Sequence, residues 1–284
     1  MSNDVVQYFS DTGLDYAAWS RQFNMHFGYW RWGLNPLRRE PMLEEMNRQV
    51  SSRLGLDALD RNDLVVDLGC GLGATMRSLT RRWGSQNLLG VTVVPWQVEQ
   101  AALLNQEFAP GVRVEQASYL DLPLAEGSVA AAYALESHCY AHGPDKADFY
   151  RELYRILKPG ARFVVVDGFT MRAPARRTRL FRSLLQQISE GWAVDSFPHM
   201  PAVWDGLQQL GFDDLQRHDF SWNIAPTALH APFLALSFAV SRWFAGDRLN
   251  QVRWNHVRAC FLSLAVGMHR GDFSYCLISG RKPE

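Results

Sequence analysis

The sequence predicts an α/β protein built on a doubly wound, mostly parallel sheet of seven strands. Three observations carry that expectation. Short apolar runs alternate with helical segments from Asp63 to Asp167, the pattern of strands joined by crossover helices. A glycine-rich turn, Asp67-Leu-Gly-Cys-Gly-Leu-Gly73, separates the first of those strands from a helix, and ligands of such sheets gather at the carboxyl ends of the strands. Two further strands end the chain, separated by residues 222–271, an insertion far longer than a hairpin needs.

In chain order, the first 60 residues read as helical. Helices are expected over Asp15–Phe23 and Pro41–Leu54, the second with Leu43, Met46, Val50 and Leu54 at helical spacing. Between them lies MHFGYWRWGLNP, a loop dense in aromatics. Strands at Leu64–Leu68, Leu88–Val93, Val112–Gln116, Ser128–Ala134 and Ala161–Asp167 alternate with helices at Ala74–Trp83, Trp96–Phe108 and Lys146–Leu157, the last stopped by Pro159-Gly160. Beyond Asp167 come a basic helix and an aromatic loop, a helix over Pro201–Leu210, and strands over Leu215–Phe220 and Phe273–Ser279.

This reading divides the chain into six parts. They are an N-terminal helical lid (1–60), the core that carries the glycine-rich turn (61–168), a basic helix and aromatic loop of a cap (169–200), a core helix and strand (201–221), a helical cap insertion (222–271) and a final core strand (272–284).

Composition bounds the function. The 284 residues are 47% apolar, enough for a substantial core, and the formal net charge is zero. A nucleic-acid partner would bring a basic excess, so none is expected. The four cysteines, Cys70, Cys139, Cys260 and Cys276, form no C-x-x-C pair, and no metal spacing is visible. The opening residues MSNDVVQYFSD do not resemble a secretory signal. No run reaches 18 apolar residues without a charge, so no integral membrane segment is expected, and the reading is a soluble cytoplasmic protein with reduced thiols. Ten Trp, sixteen Phe and nine Tyr are a rich aromatic supply. Most fill the core; some are expected to line an apolar or cation-holding pocket.

Glycines in a G-x-G-x-G arrangement let the backbone turn tightly and approach a ligand. Here an acid, Asp67, precedes the first glycine by two residues at the end of a buried strand. That combination resembles the first motif of the class I S-adenosylmethionine-dependent methyltransferases, and KADFYRELYRILKPGARFVVVDG resembles their later helix–KPG–strand signature. The resemblance covers residues 60 to 168 and implies their Rossmann-like fold with S-adenosylmethionine as cofactor. It also implies that Asp67, Gly69, Cys70, Gly71 and Gly73 hold the methionine end, whose carboxylate suits a helix N-terminus. The rival is a nicotinamide site, with G-x-G-x-x-G and an acid about 20 residues on; residue 74 is Ala, and LLGVTVVP ends without an acid. GVT followed by Gln97 matches a variant among small-molecule methyltransferases, so the resemblance gives the ribose contacts to Thr92 or Gln97. ASYLDLPL resembles the family's G-D-A-x-x-L-P-F segment and implies adenine contacts at Ser118 and Tyr119, with Leu135 completing the cofactor set.

After the fourth strand comes ALESHCYAHGPD. Glu136, at a strand end facing a pocket, has a functional reason to be desolvated. His138 reads either as a core histidine or as a base, Tyr140 is a further alternative, and His142 before Gly-Pro reads as a solvated loop residue.

No N-P-P-Y or D-P-P-Y motif and no strand-tracking basic groove is present, so a small-molecule acceptor is expected. HFGYW, GVTVVPWQ, the ES..Y segment and the apolar insertion resemble the bacterial prenyl diphosphate (geranyl or farnesyl) C-methyltransferases and, more distantly, the sterol and tocopherol enzymes. In that group an alkene attacks the cofactor's methyl group, a carbocation forms, in some members it cyclises, and a base removes a proton. Such chemistry needs aromatic faces, for which Phe27, Tyr29, Trp30, Trp192, Trp222 and Phe273 are the candidates. It needs a base, with Glu136 first and His138 and Tyr140 as alternates. It needs a diphosphate site, for which Arg172, Arg176, Arg177, Arg179 and Arg182 form a basic run suited to phosphate or simply to solvent. Mg2+ bridging the diphosphate is compatible with this substrate, although no acid-rich motif announces a metal site. The other readings are an O- or N-methyltransferase of a small aromatic or amine metabolite and a homodimer contact made by the lid and cap aromatics.

Overall fold

The computed structural model describes residues 3–13, 16–84, 87–108, 111–244, 246 and 250–284. Seven strands form one sheet: β1 (Leu64–Leu68), β2 (Asn87–Thr92), β3 (Val112–Gln116), β4 (Val129–Leu135), β5 (Leu157–Thr170), β6 (Asp213–Asp219) and β7 (Phe273–Arg281), in the order β3-β2-β1-β4-β5-β7-β6. The first five run parallel, and β7 lies antiparallel between β5 and β6. This is the doubly wound, mostly parallel seven-stranded sheet the sequence predicts.

The helices are α1 (Asn3–Thr12), α2 (Tyr16–Trp19), α3 (Arg39–Ser51), α4 (Ala74–Trp83), α5 (Pro95–Leu104), α6 (Ala147–Ile156), α7 (Arg179–Trp192), α8 (Met200–Gln209), α9 (Ser221–Phe244) and α10 (Gln251–Met268). The helix expected over Asp15–Phe23 is a single turn, α2; Asp15 lies outside the described residues, and an unanticipated α1 precedes it. Pro159-Gly160 sits inside β5 rather than in a loop. The β4–β5 register jumps there, from Val129↔Leu157 to Ala131↔Arg162, and the bulge accommodates a residue that has no N–H to give.

Apolar side chains cover both faces of the sheet. One buried cluster gathers Phe149, Leu153, Phe163 and Val203 under α6 and α8. The other joins Met46 and Val50 of α3 and Met76 and Leu79 of α4 to the opposite face. Strand order reverses between β1 and β4, so the loops leaving their carboxyl ends diverge and open a crevice. Ser137, after β4, closes one side of it by donating from Oγ to the Leu68 carbonyl at 2.5 Å.

α9 and α10 fall between β6 and β7 in the chain, and α10 packs on α7, α9 and α1. α9 is long and apolar enough to cross a membrane by length and composition alone, and 17% of its most apolar window is buried. Between Trp222 and Ser241 its sequence holds no Asp, Glu, Lys or Arg. The polar residues Asn223, Thr227, His230 and Ser237 interrupt the run without charging it.

Candidate active site

A cavity of about 670 Å³ opens at the carboxyl ends of β1, β2 and β4. Its floor is the sheet, and its walls come from α1, the 23–27 loop, α7, α9 and α10.

The glycine-rich turn forms one end. Gly69, Gly71 and Gly73 all have positive φ (103°, 52° and 75°), which only glycine adopts without cost. What their missing side chains leave room for is protein: a Cβ on Gly69 would meet the Ser137 Cβ at 2.3 Å, and one on Gly71 the Met25 sulfur at 2.9 Å. The glycines therefore seat the β4 loop and the 23–27 segment against the turn. Asp67, Gly69, Cys70 and Gly71 line the cavity; Gly73 does not, and serves as the left-handed N-cap of α4. Burial pushes the Asp67 carboxyl up to about 7, the condition of a carboxylate that lacks a cationic partner. At the end of β2, Thr92 donates from Oγ1 to Gln97 Oε1 at 2.7 Å, and both are buried cavity residues. The chain thus offers a carboxylate, free backbone at a helix start and a hydroxyl–amide pair across one crevice, a donor set that fits a cationic amino acid joined to a nucleoside.

Tyr119 and Leu135 also line the cavity. The Tyr119 hydroxyl donates to the Ser137 carbonyl at 2.7 Å. Ser118 does not reach the cavity, because its Oγ accepts from the Leu120 N–H at 3.3 Å and closes a local turn.

Glu136 stands at the end of β4 with φ 52°, a backbone region that costs a non-glycine residue about 1 kcal/mol. Its Oε1 accepts from the Phe27 N–H at 2.7 Å and the Tyr275 hydroxyl at 2.5 Å, while Oε2 accepts no hydrogen bond from the described residues. Burial pushes this carboxyl up to about 8, against the pull of those two donors. Tyr140 lines the cavity edge-on to Phe9. Lys146 fixes its loop: the buried ammonium donates to the carbonyls of Cys139, Ala141 and Ser196 at 2.9, 2.6 and 2.6 Å.

His138 is not at the cavity. It is fully buried, its Nδ1 lies 2.8 Å from Asp167 Oδ2, and its ring packs among Phe149, Tyr150 and Phe169. Burial lowers its basicity. His142 is exposed.

The expected substrate residues divide. Phe27, Trp192, Trp222 and Phe273 line the cavity. Tyr29 instead packs edge-on against Phe220, and Trp30 donates from Nε1 to the Leu34 carbonyl. The basic run is also elsewhere: Arg172, Arg176, Arg179 and Arg182 are exposed and Arg177 is tied to the Arg172 carbonyl, and none of the five lines the cavity. The arginines that do are Arg253 and Arg270. Arg270 Nη2 donates to Asp219 at 2.6 Å, whereas its buried Nη1 has no hydrogen-bond partner among the described residues.

Sequence reasoning missed Tyr275, Arg270 and the pair Tyr8–His256, whose hydroxyl and Nδ1 are 2.6 Å apart in the cavity wall. Tyr275 had a signal. It lies two residues from Phe273 on one strand, and alternate residues share a face.

A family model described as a methyltransferase domain matches residues 65–160. The O-methyltransferase resE of Aspergillus sclerotiorum is 32% identical over 218 residues, covering 75% of this chain and 77% of that protein. The 2-methyl-6-phytyl-1,4-hydroquinone methyltransferase of a Synechocystis strain is 30% identical over 173 residues, 60% of this chain. The chain spans 52% of that enzyme's length, and between 52 and 77% of the first curated relatives. Among solved structures, the geranyl diphosphate C-methyltransferase of Streptomyces coelicolor superposes with a TM-score of 0.71 at 19% identity, over 98% of this chain and 96% of that one. The chain belongs to the class I S-adenosylmethionine-dependent methyltransferases.

Proposed function

We propose that the chain methylates an alkene carbon of an isoprenoid substrate, a prenyl diphosphate such as geranyl or farnesyl diphosphate, with Glu136 taking the proton afterwards. One observation carries this: a buried carboxyl, with one oxygen that accepts no hydrogen bond from the described residues, at the strand end of a cavity whose α7, α9 and β7 walls are mainly aromatic and aliphatic. Bound S-adenosylmethionine supplies an electrophilic methyl group. The protein's part is to hold the alkene in a dry pocket, to face the cation that forms with Phe27, Trp192 and Phe273, and to accept its proton at Glu136 Oε2. The two donors on Oε1 hold the carboxyl in place, and with its pKa raised to about 8 the fraction ionised at neutral pH is a stronger base than an ordinary carboxylate.

Asp67, Thr92, Gln97 and Tyr119 form the cofactor end in this reading. A substrate's anionic head goes to Arg270 and Arg253, since the 172–182 run is not at the cavity. No group of three His, Cys, Asp or Glu side chains is set to hold a metal among the described residues; with a diphosphate acceptor, Mg2+ would be held by the substrate's own oxygens.

A second reading, O- or N-methyl transfer to a small aromatic or amine metabolite, is favoured by His256. It lines the cavity beside Tyr8, and burial lowers it to about 4, so it is a neutral acceptor at neutral pH. The test uses purified protein, S-adenosylmethionine labelled in its methyl group, and four acceptors with and without Mg2+: geranyl diphosphate, farnesyl diphosphate, a prenylated hydroquinone and a phenol lacking a prenyl chain. Label on carbon of a prenyl chain supports the first reading. Label on oxygen alone replaces it with the second.

A further inference from the structure

α9 is apolar on both faces. Inward, Ala225, Ala228, Ala235 and Phe238 line the cavity. Outward, Leu229, Phe233, Leu236, Val240 and the pair Trp243–Phe244 recur at steps of three and four, and all are exposed. Phe233 is 66% exposed, Trp243 70% and Phe244 79%. A helix that is hydrophobic all round belongs in a core or in lipid. Neighbouring elements extend the outer face. Trp254 and Phe261 of α10 are exposed, as are Trp32 and Leu37 of the loop that Trp30 and Asn223 tie to α9 by a reciprocal pair of hydrogen bonds at 2.7 and 3.0 Å.

Two observations say what covers this face. α9, α10 and the 31–38 loop contain no aspartate or glutamate, and Arg38 of that loop and Arg258 of α10, one turn from Trp254, are exposed. Two copies meeting here would set like charges against each other, whereas an anionic lipid surface complements them. In addition, Trp222 and Leu229 both line the cavity and are exposed, so the cavity mouth opens on this same face.

We propose that α9, with α10 and the 31–38 loop, seats the enzyme on an anionic lipid surface and presents the cavity mouth to it. α9 lies in the interface and does not cross the bilayer. Its inner face is committed to the cavity, and Thr227 pins it to the protein body by accepting from the Gly28 N–H at 2.9 Å. An apolar acceptor would then enter from the lipid without crossing water. Seating on lipid depends on the outer face alone and not on which methyl acceptor the cavity takes.

The experiment is flotation of the full chain with vesicles of phosphatidylcholine alone and of phosphatidylcholine with phosphatidylglycerol, at low and high salt. Binding at low salt should favour the anionic vesicles by about ten-fold or more and weaken as salt screens the charges. The double variant Trp243→Ala, Phe244→Ala and the single variant Phe233→Asp should lose it while keeping S-adenosylmethionine affinity and the far-ultraviolet circular dichroism of the parent, which shows that they fold. No flotation at low salt, equal binding to both vesicles, or unchanged binding by both variants overturns the proposal. So does a dimer in analytical ultracentrifugation that these substitutions disperse when no flotation occurs, which assigns the face to a second copy.

Discussion

The Tyr275 hydroxyl donates to Glu136 Oε1 at 2.5 Å, which ties the antiparallel strand β7 to the end of β4 across β5. On β5 Gly168 lies opposite Tyr275, and its missing side chain makes room for the Phe273 ring, which a Cβ there would meet at 2.5 Å. Tyr275 also packs edge-on against Phe27, whose N–H is the carboxylate's other donor. One oxygen of Glu136 is thus fixed by two separate parts of the chain.

Tyr275→Phe removes one of the two groups that pull the Glu136 carboxyl downward and keeps the ring packing. Its pKa should rise beyond about 8. The ascending limb of the pH profile of kcat/KM should move up by roughly one unit, which at pH 7 means about ten-fold less ionised carboxylate and about ten-fold less activity. Calorimetric affinity for S-adenosylmethionine should be unchanged. An unshifted limb would remove Glu136 as the titrating base.

Glu136 also predicts a stability effect. Its folded pKa lies above its unfolded value, so the folded state binds the extra proton, and the stabilisation present below about pH 4.5 is lost as pH rises through about 8. Asp67, raised to about 7 by burial, acts in the same direction. Without cofactor, Tm should therefore fall from pH 5 to pH 8.5. Glu136→Gln mimics the protonated form and can accept both bonds on its amide oxygen, so its decline should be shallower. The same variant should lose about 10²- to 10⁴-fold in turnover while binding cofactor nearly as well as the parent.

Gln97→Ala should weaken S-adenosylmethionine binding by about ten-fold, since it leaves the buried Thr92 hydroxyl without its acceptor at 2.7 Å. Titration calorimetry reads this directly. Ser118→Ala should bind like the parent, because its Oγ serves only the Leu120 N–H among the described residues.

What could be read from the sequence followed how local each signal was. The Asp67–Gly73 turn and the pair Thr92–Gln97 are short segments next to strands, so strand, turn and helix patterns place them without knowledge of distant packing. HFGYW is different. Which of its aromatics turn inward depends on Met42 in the next helix and on Glu136 and Thr227 far along the chain, and only Phe27 of the three expected residues faces the cavity. The arginines show the same limit. A run at 172–182 is conspicuous in sequence, yet the chain beyond β5 carries it over the surface, while Arg270 reaches the cavity from the turn before β7.

His138→Ala should act on stability and not on chemistry. The ring fills a slot between Phe149, Tyr150 and Phe169 and holds Asp167 at 2.8 Å, so truncation leaves both a cavity and a carboxylate short of one partner. The expected cost is about 2–4 kcal/mol in denaturant titrations. Well below Tm, turnover should fall by less than ~10-fold, under the loss expected for a base. A larger loss with unchanged stability would return His138 to the catalytic group.

The arginines give a comparison between two places on the molecule. Arg176 and Arg179 are exposed and away from the cavity, so the double variant Arg176→Ala, Arg179→Ala should leave the KM for geranyl or farnesyl diphosphate within about two-fold, the range of a surface change. Arg270 has a buried Nη1 without a hydrogen-bond partner among the described residues and is held by Asp219 on its other nitrogen at 2.6 Å. Arg270→Ala should raise the KM by about ten-fold or more, the scale of one charge-assisted hydrogen bond. Arg270→Lys should recover only part of it, because a lysine ammonium cannot hold Asp219 and an anion in the fixed geometry of a guanidinium. Both variants should bind S-adenosylmethionine like the parent, since Asp67, Thr92 and Gln97 are untouched. If instead the double surface variant raises the KM and Arg270→Ala does not, the anionic head of the substrate lies outside the cavity and the acceptor's orientation must be reversed.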